Sequence, residues 1–269
     1  MGLKFRLLGP LEILNGAQPI SLTAHKPRAL LVMLLLNSGK LVLWHRLLEE
    51  LWDGAQPASA MSNLRTYATE LRRVVFDGGP QLVSDPDGLR LQVDREQIDV
   101  DVFADLCARA RNDQMNGDLP AASSAYERAL HMWRGPALTG LRRGPILTAT
   151  ATALDERRIG VLEDWFDVRL DLTATDRCSG SALIADLRGH LAEHQVRERP
   201  HRQLMVTLYR LGDVAGALRA CAGAREVLRR SLGLDPDDRV EWLQAAILRR
   251  DPDLLRPGVQ NRTGDPLRL

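Results

Sequence analysis

Apolar and polar positions follow two different periods along the 269-residue chain. Between residues 3 and 22 short apolar runs are broken by Gly9-Pro10 and Asn15-Gly16. Asn-Gly between apolar runs signals a hairpin, so small antiparallel strands are expected there. From Arg28 to Asn37 the apolar residues cover every side of a helix that opens at Pro27 and stops before Gly39. Such a helix must be buried. Lys40 to Leu43 predicts a short strand, and Trp44 to Trp52 a second helix with Leu47, Leu48, Leu51 and Trp52 inward. In Ala58 to Phe76, residues Ala60, Leu64, Tyr67, Ala68, Leu71, Val74 and Val75 recur at spacings of three and four, which places them on one helical face. After Gly78-Gly79-Pro80, the segment Gln81 to Val93 predicts two strands about Asp85-Pro86-Asp87-Gly88. Strands, three helices and a hairpin, in that order, make a winged helix, whose third helix enters the major groove.

From Asp99 onwards the pattern is helical. Gly117-Asp118, Ala122, Tyr126 and Ala129 are matched by Gly212-Asp213, Ala217, Cys221 and Ala224 at the same offsets. Small residues on a packing face let antiparallel helices approach closely, as in tetratricopeptide-like hairpins. Pro145 to Leu172 predicts one long helix, with Leu154, Ile159, Leu162, Phe166 and Leu170 inward. Asp235-Pro236 separates the second hairpin from a helix over Asp237 to Arg249, and the residues after Asp251 predict a loose tail. The expected fold class is mainly α: an N-terminal winged helix-turn-helix with small β-sheets, then an all-α tetratricopeptide-like helical-repeat domain. The expected boundaries are 1–95, 99–252 and a tail at 253–269.

Charge adds little at first. The net charge is +1, and residues 1–95 hold eleven Lys/Arg against nine Asp/Glu, so DNA binding would depend on local placement. Cys107, Cys178 and Cys221 are odd in number, far apart and without metal-ligand spacing, which fits reduced, buried thiols. The longest apolar run, Ala29 to Leu36, is far shorter than a membrane helix needs, and the N-terminus lacks signal-peptide character. A soluble cytoplasmic protein, nucleoid-associated and without a membrane partner, is expected.

The face of Ala58–Phe76 opposite its apolar stripe carries Ser59, Ser62, Thr66, Thr69 and Arg73, flanked by Arg65 and Arg72, with Asn63 and Glu70 at its edge. Short hydroxyl side chains let a backbone enter a groove, and arginines reach phosphates or guanine edges. Candidate DNA contacts are therefore Ser62, Asn63, Arg65, Thr66, Thr69, Arg72 and Arg73. Arg73 is favoured over Arg72 because it points away from the core. Lys26 and Arg28 open the first helix, whose N-terminus favours phosphate, and Arg90 on the hairpin would meet the backbone or minor groove. Trp133 and Trp165 are read as core residues. His190-Leu-Ala-Glu193-His194 matches the inverted zincin pattern, but a catalytic zinc needs a third protein ligand that the pattern does not place. No nucleophile motif is present. An enzyme is not expected, nor is a cofactor or a metal.

FRLLGPLEIL, PRALLVMLLLNSGKLV, LLEELW, NLRTYATELRRVV and GDVAGALRACAGAREVLRRSLGLDP, with ALHMWRGPALTGL and LMVTLYRLGD, together resemble the Streptomyces antibiotic regulatory protein (SARP) family over residues 3–255. The resemblance implies an OmpR-like winged helix followed by a bacterial transcriptional activator domain. It implies activation of secondary-metabolite gene clusters, through binding of double-stranded DNA as direct repeats near promoters, self-association on that DNA, and recruitment of RNA polymerase holoenzyme. The length is that of the small members without an ATPase module, and no GxxxxGK[ST] occurs. Four positions depart from the family pattern. Glu70 stands where members carry a basic residue, Leu89 where the wing has tyrosine, Leu43-Trp44-His45 where the second helix opens with a Ser or Asp cap, and His194-Gln195 where His-Pro is common. A carboxylate near phosphates is repulsive unless it accepts from a cytosine amino group. The alternative reading is a helical-repeat protein-interaction or ligand-sensing regulator with weak or no DNA binding of its own.

Overall fold

The computed structural model describes residues 2–52, 54, 56–77, 81–174 and 179–258. The Gly78-Gly79-Pro80 breaker and Cys178 lie outside them. The chain forms two compact units: residues up to Ala108 with Arg128–Ile159, and Arg109–Glu127 with the chain from Gly160 onwards.

In the first unit, β1 (Leu3–Arg6), β2 (Glu12–Asn15) and β3 (Gln18–Pro19) form an antiparallel sheet in that order. Asn15 pairs with Gln18 across the expected turn, where Gly16 has φ +61°. Next come α1 (His25–Leu35), β4 (Leu41–Leu43), α2 (Trp44–Trp52), α3 (Ala60–Val74), β5 (Leu82–Asp85) and β6 (Gly88–Leu91). The second sheet has the order β4-β6-β5, so β6 lies between its hairpin partner and the strand that precedes α2. This is the winged-helix topology. Ala29 to Leu35 are all buried, as the all-round apolar pattern requires. The helix nevertheless starts at His25, two residues before Pro27, with no side-chain cap from Ala24.

The wing supplies what α2 lacks at its start. The Trp44 amide donates to Asp87 O at 3.0 Å and its indole Nε1 to Pro86 O at 2.9 Å. Carbonyls of the wing turn thus accept from a helix start whose sequence offers no cap. Gly88 is required beside this contact, since a Cβ there would lie 2.1 Å from Val42 O.

Two carboxylates tie this unit to residues far along the chain. Glu50 on α2, only 3% exposed, accepts from the amides of Gly144 at 2.6 Å, Ile146 at 2.9 Å and Leu147 at 3.0 Å. It thereby caps α6 (Pro145–Leu172), whose bounds are those the sequence predicts. Asp99, the first residue of α4 (Asp99–Met115), accepts from the amides of Leu7 at 2.7 Å and Leu8 at 3.0 Å. Burial pushes its carboxyl above the usual range despite these bonds.

The second unit contains α7 (Gly180–Glu193), α8 (Glu198–Arg210), α9 (Val214–Leu232) and α10 (Asp238–Leu248), with parts of α4, α5 (Leu119–Leu130) and α6. Its core gathers Phe166, Leu170, Leu183, Leu187, Met205, Cys221, Leu243 and Ile247. The internal similarity has a structural counterpart. Gly117 and Gly212 have φ of +81° and +91°, conformations that favour glycine. Asp118 accepts from the Ala121 amide at 3.0 Å and Asp213 from the Gly216 amide at 2.7 Å, each capping the helix that follows. All six small or aromatic matching positions are buried: Ala122, Tyr126 and Ala129, and Ala217, Cys221 and Ala224.

The expected loose tail is corrected for residues 253–258. A 3₁₀ turn at Pro252–Leu255 buries Leu254, and buried Arg210 donates to Leu254 O at 3.0 Å, to Leu170 O at 2.6 Å and to Arg256 O. The Gly258 amide donates to Asp171 Oδ1 at 2.8 Å. The remainder of that expectation, residues 259–269, lies outside the described residues.

The zincin-like pattern has a different setting. His190 is buried with Nε2 3.5 Å from Glu163 Oε1, and Glu193 is exposed. Glu163 also pairs with Arg197, and Arg199 bridges Asp164 and Asp167. Gln203 Nε2 donates to Glu163 O and to Asp167 Oδ1. Burial alone would raise the Glu163 carboxyl, but the His190 and Arg197 hydrogen bonds and the Arg197 and Arg199 charges hold it below its usual value. His201 is pushed below 6.5 by burial, which outweighs its 2.8 Å contact with Gln195 O. The unfolded chain takes up a proton at His201 as pH falls below 6.5, whereas the folded chain resists it. Stability is therefore lost as pH falls through that range, with a further loss below 4.5 as the Glu163 carboxylate is forced to protonate. The urea midpoint is expected to drop between about pH 7.5 and about pH 5.5. His201→Gln should flatten that drop, and an equal slope in the variant would assign it to other groups.

Candidate nucleic-acid interface

The two faces of α3 differ as its periodicity predicts. Ala60, Leu64, Ala68, Leu71 and Val75 are buried, with Leu64 and Leu71 fully inaccessible, while Tyr67 and Val74 are half-buried. Ser62, Arg65, Thr66, Thr69 and Arg73 are exposed. A shallow depression is formed by Arg65, Thr66, Thr69, Glu70 and Arg73. Arg65 and Arg73 are eight residues apart, about 12 Å along the axis, so their charges bracket the hydroxyls.

The hydroxyl protons are committed within the helix. Ser62 Oγ donates to Ser59 O at 2.8 Å, Thr66 Oγ1 to Ser62 O at 3.0 Å and Thr69 Oγ1 to Arg65 O at 3.0 Å. Asn63 Nδ2 donates to Ser59 Oγ at 3.2 Å. Back-bonded in this way, the two threonines keep acceptor lone pairs for outside donors, and each carries a methyl group. Such a surface can accept from a cytosine or adenine amino group or meet a thymine methyl.

Arg72 and Arg73 have different surroundings. Arg72 Nε donates to Leu82 O at 2.9 Å and Nη2 to Ser84 Oγ at 2.7 Å, tying α3 to the first wing strand. Arg73 is exposed, as its angular position predicts. Arg90, on β6 between Leu89 and Leu91, keeps an exposed side chain with Asp85 Oδ2 3.6 Å from its Nε. The first-helix pair lies elsewhere. Lys26 Nζ sits 3.9 Å over the Trp52 ring, and Arg28 lines a depression with Glu12, Pro19 and Leu22. Neither lines the α3 depression. The sequence reading missed Trp44 and Ser84 as supports of the wing. Of these, Trp44 carried a signal, an indole at a helix start with no ordinary cap.

Trp133 is buried and Trp165 half-buried, its Nε1 donating to Ser123 Oγ at 3.0 Å. Among the described residues, no group of three or more His, Cys, Asp or Glu is arranged to hold a metal ion. No described helix is long and apolar enough to cross a membrane.

Comparison with known proteins agrees with this architecture. Residues 98–248 match the bacterial transcriptional activator domain. The chain is 35% identical to the regulatory protein AfsR of Streptomyces griseus over 95% of its own length and 25% of that protein's. It is 33% identical to the regulatory protein DnrI of Streptomyces peucetius over 96% of each. The chain thus spans a quarter of AfsR and nearly all of DnrI. The solved structure of Mycobacterium tuberculosis EmbR in complex with a low-affinity phosphopeptide is similar at 29% identity with a TM-score of 0.88, covering 94% of this chain and 67% of EmbR. These relatives are named as regulators, not as enzymes. A winged helix built on α1 to α3 and a matched activator domain, in a chain similar to DnrI from end to end, make this protein a transcriptional regulator of the Streptomyces antibiotic regulatory protein family.

Proposed function

We propose that the protein is a sequence-specific DNA-binding activator of a secondary-metabolite gene cluster. Residues 1–95 act as the DNA-binding module and 99–252 as the activator domain. The exposed α3 face carries this reading: acceptor oxygens, methyl groups and two arginines opposite a fully packed core face. In this reading α3 lies in the major groove, with Ser62, Asn63, Arg65, Thr66, Thr69 and Arg73 towards base edges and phosphates. Arg72 acts at one remove, by holding the wing, and Arg90 meets the flanking backbone. Lys26 and Arg28 are weaker candidates, because their side chains sit against Trp52 and the β2–β3 sheet. Binding is to direct repeats, with copies associating on the DNA and recruiting RNA polymerase holoenzyme.

A mobility-shift titration against the upstream regions of neighbouring genes, at several salt concentrations, tests this. Specific binding that weakens steeply with salt is expected, since each neutralised phosphate contributes about −0.9 to the log–log slope. Equal, feeble binding to every duplex would overturn it and favour a repeat-domain regulator. Arg73→Ala is expected to weaken operator binding about tenfold, equivalent to about 1.4 kcal/mol. Unchanged affinity would remove Arg73 from the interface. Glu70 edges the same depression, so Glu70→Arg should bind more tightly and with less selectivity. Weaker binding would show instead that the carboxylate makes a useful contact.

A further inference from the structure

The winged unit encloses a cavity of ≈ 550 Å³ whose wall includes Lys26 of α1, Trp52 of α2, Tyr67 of α3, and Arg142 and Arg143 just before α6. That volume lies in the range of small-molecule sites. Three of its wall residues are cationic. Among the described residues, neither Lys26, Arg142 nor Arg143 pairs with a carboxylate, and the polar contact shown for the three is Arg143 Nη1 to Ala137 O at 3.4 Å. Glu50 also lines the cavity, but its two oxygens are occupied by three α6 amides. The same bonds fill the α6 N-terminus, so attraction for an anion comes from side chains. Burial, and then the charge of Arg142, push the Lys26 ammonium below its ordinary value.

The aromatic wall points to the rest of the ligand. Trp52 and Tyr67 are stacked, with centroids 6.3 Å apart and planes at 19°, and Lys26 lies over the indole. A flat ring placed beside this pair gains dispersion and stacking contact, while an attached anion reaches the cations. We propose that the cavity binds a small planar aromatic molecule with one anionic group, a carboxylate or a phosphate ester, held between Lys26 and Arg142 with its ring beside Trp52 and Tyr67. This site shares no lining residue with the α3 depression.

Calorimetric titration of the full chain with salicylate and with phenyl phosphate tests the proposal and separates carboxylate from phosphate ester. Benzyl alcohol serves as the ring without charge, and inorganic phosphate as the charge without ring. One-to-one binding of at least one ring-bearing anion is expected, ten times tighter than either control. Lys26→Met and Arg142→Gln should each weaken it about tenfold, with circular dichroism melts showing that both variants fold. No saturable binding of either ring-bearing anion at millimolar concentration would overturn the proposal. So would controls that bind equally well, or folded Lys26 and Arg142 variants that both bind as the parent does.

Discussion

Glu50→Ala is expected to lower stability by about 3 kcal/mol, a large loss for a single polar side chain. One carboxylate, 3% exposed, accepts from the amides of Gly144, Ile146 and Leu147. Bonds to an ionised acceptor contribute about 1.5–3 kcal/mol each, and a helix cap alone about 1 kcal/mol. Alanine removes all three acceptor contacts and leaves the buried Leu147 amide without this partner. The joint is close as well as polar: a Cβ at Gly144 would lie 2.2 Å from Glu50 O, leaving little space for the backbone to collapse. The urea midpoint, taken with an unchanged slope, measures the loss. Glu50→Gln keeps the volume but has a single acceptor oxygen, and its amide N–H groups face donors. It should lose at least half as much. A glutamine variant as stable as the parent would show that shape, not acceptance, makes the joint.

Arg210→Met is expected to cost about 3–5 kcal/mol in the second unit. Arg210 is 3% exposed, and its guanidinium donates to the carbonyls of Leu170, Leu254 and Arg256, which join α6 to the C-terminal turn. Methionine keeps the apolar stem, so the change reports the loss of donors rather than an empty cavity. Arg256 is exposed and can recover water, while the other two carbonyls have no easy substitute. Burial already pushes the Arg210 guanidinium below its ordinary value, against the opposing pull of the Asp171 charge. Limited proteolysis should cut the Pro252–Gly258 segment faster in the variant. An unchanged cleavage rate with an earlier midpoint would place the damage in the helical core instead.

Both residues also mark where sequence reasoning stops. Amphipathic spacing gave the buried face of α3, and apolar continuity gave the burial of α1, because those signals are local. The ends of α6 were legible from Pro145 and the run to Leu172. Glu50 was not legible: on α2 it reads as one more polar position, and its partners come 94–97 residues later. Asp99 and the Leu7 amide are 92 residues apart, and Arg210 and Leu254 O are 44 apart. No periodicity encodes such pairings. The surroundings of His190 are hidden for the same reason, since the carboxylate facing it is Glu163, 27 residues upstream, rather than the Glu193 of the motif. At the candidate interface, helical geometry anticipated that Arg73 is more exposed than Arg72. It could not show that Arg72 has Leu82 and Ser84 as partners, because the wing returns to α3 only in three dimensions.

That return limits how freely α3 can be exchanged. A chimera that imports residues 60–74 from another regulator carries in a new exposed face, yet it also replaces the side chain at position 72 that reaches Leu82 and Ser84. Trp44, at the start of α2, holds the far end of the same hairpin through Pro86 and Asp87. Under the proposed function, operator preference would therefore not be a detachable cassette. A graft that keeps Arg72, Trp44 and Ser84 and alters only positions 62, 65, 66, 69, 70 and 73 preserves the hairpin's seat and makes retargeting a question of surface chemistry alone.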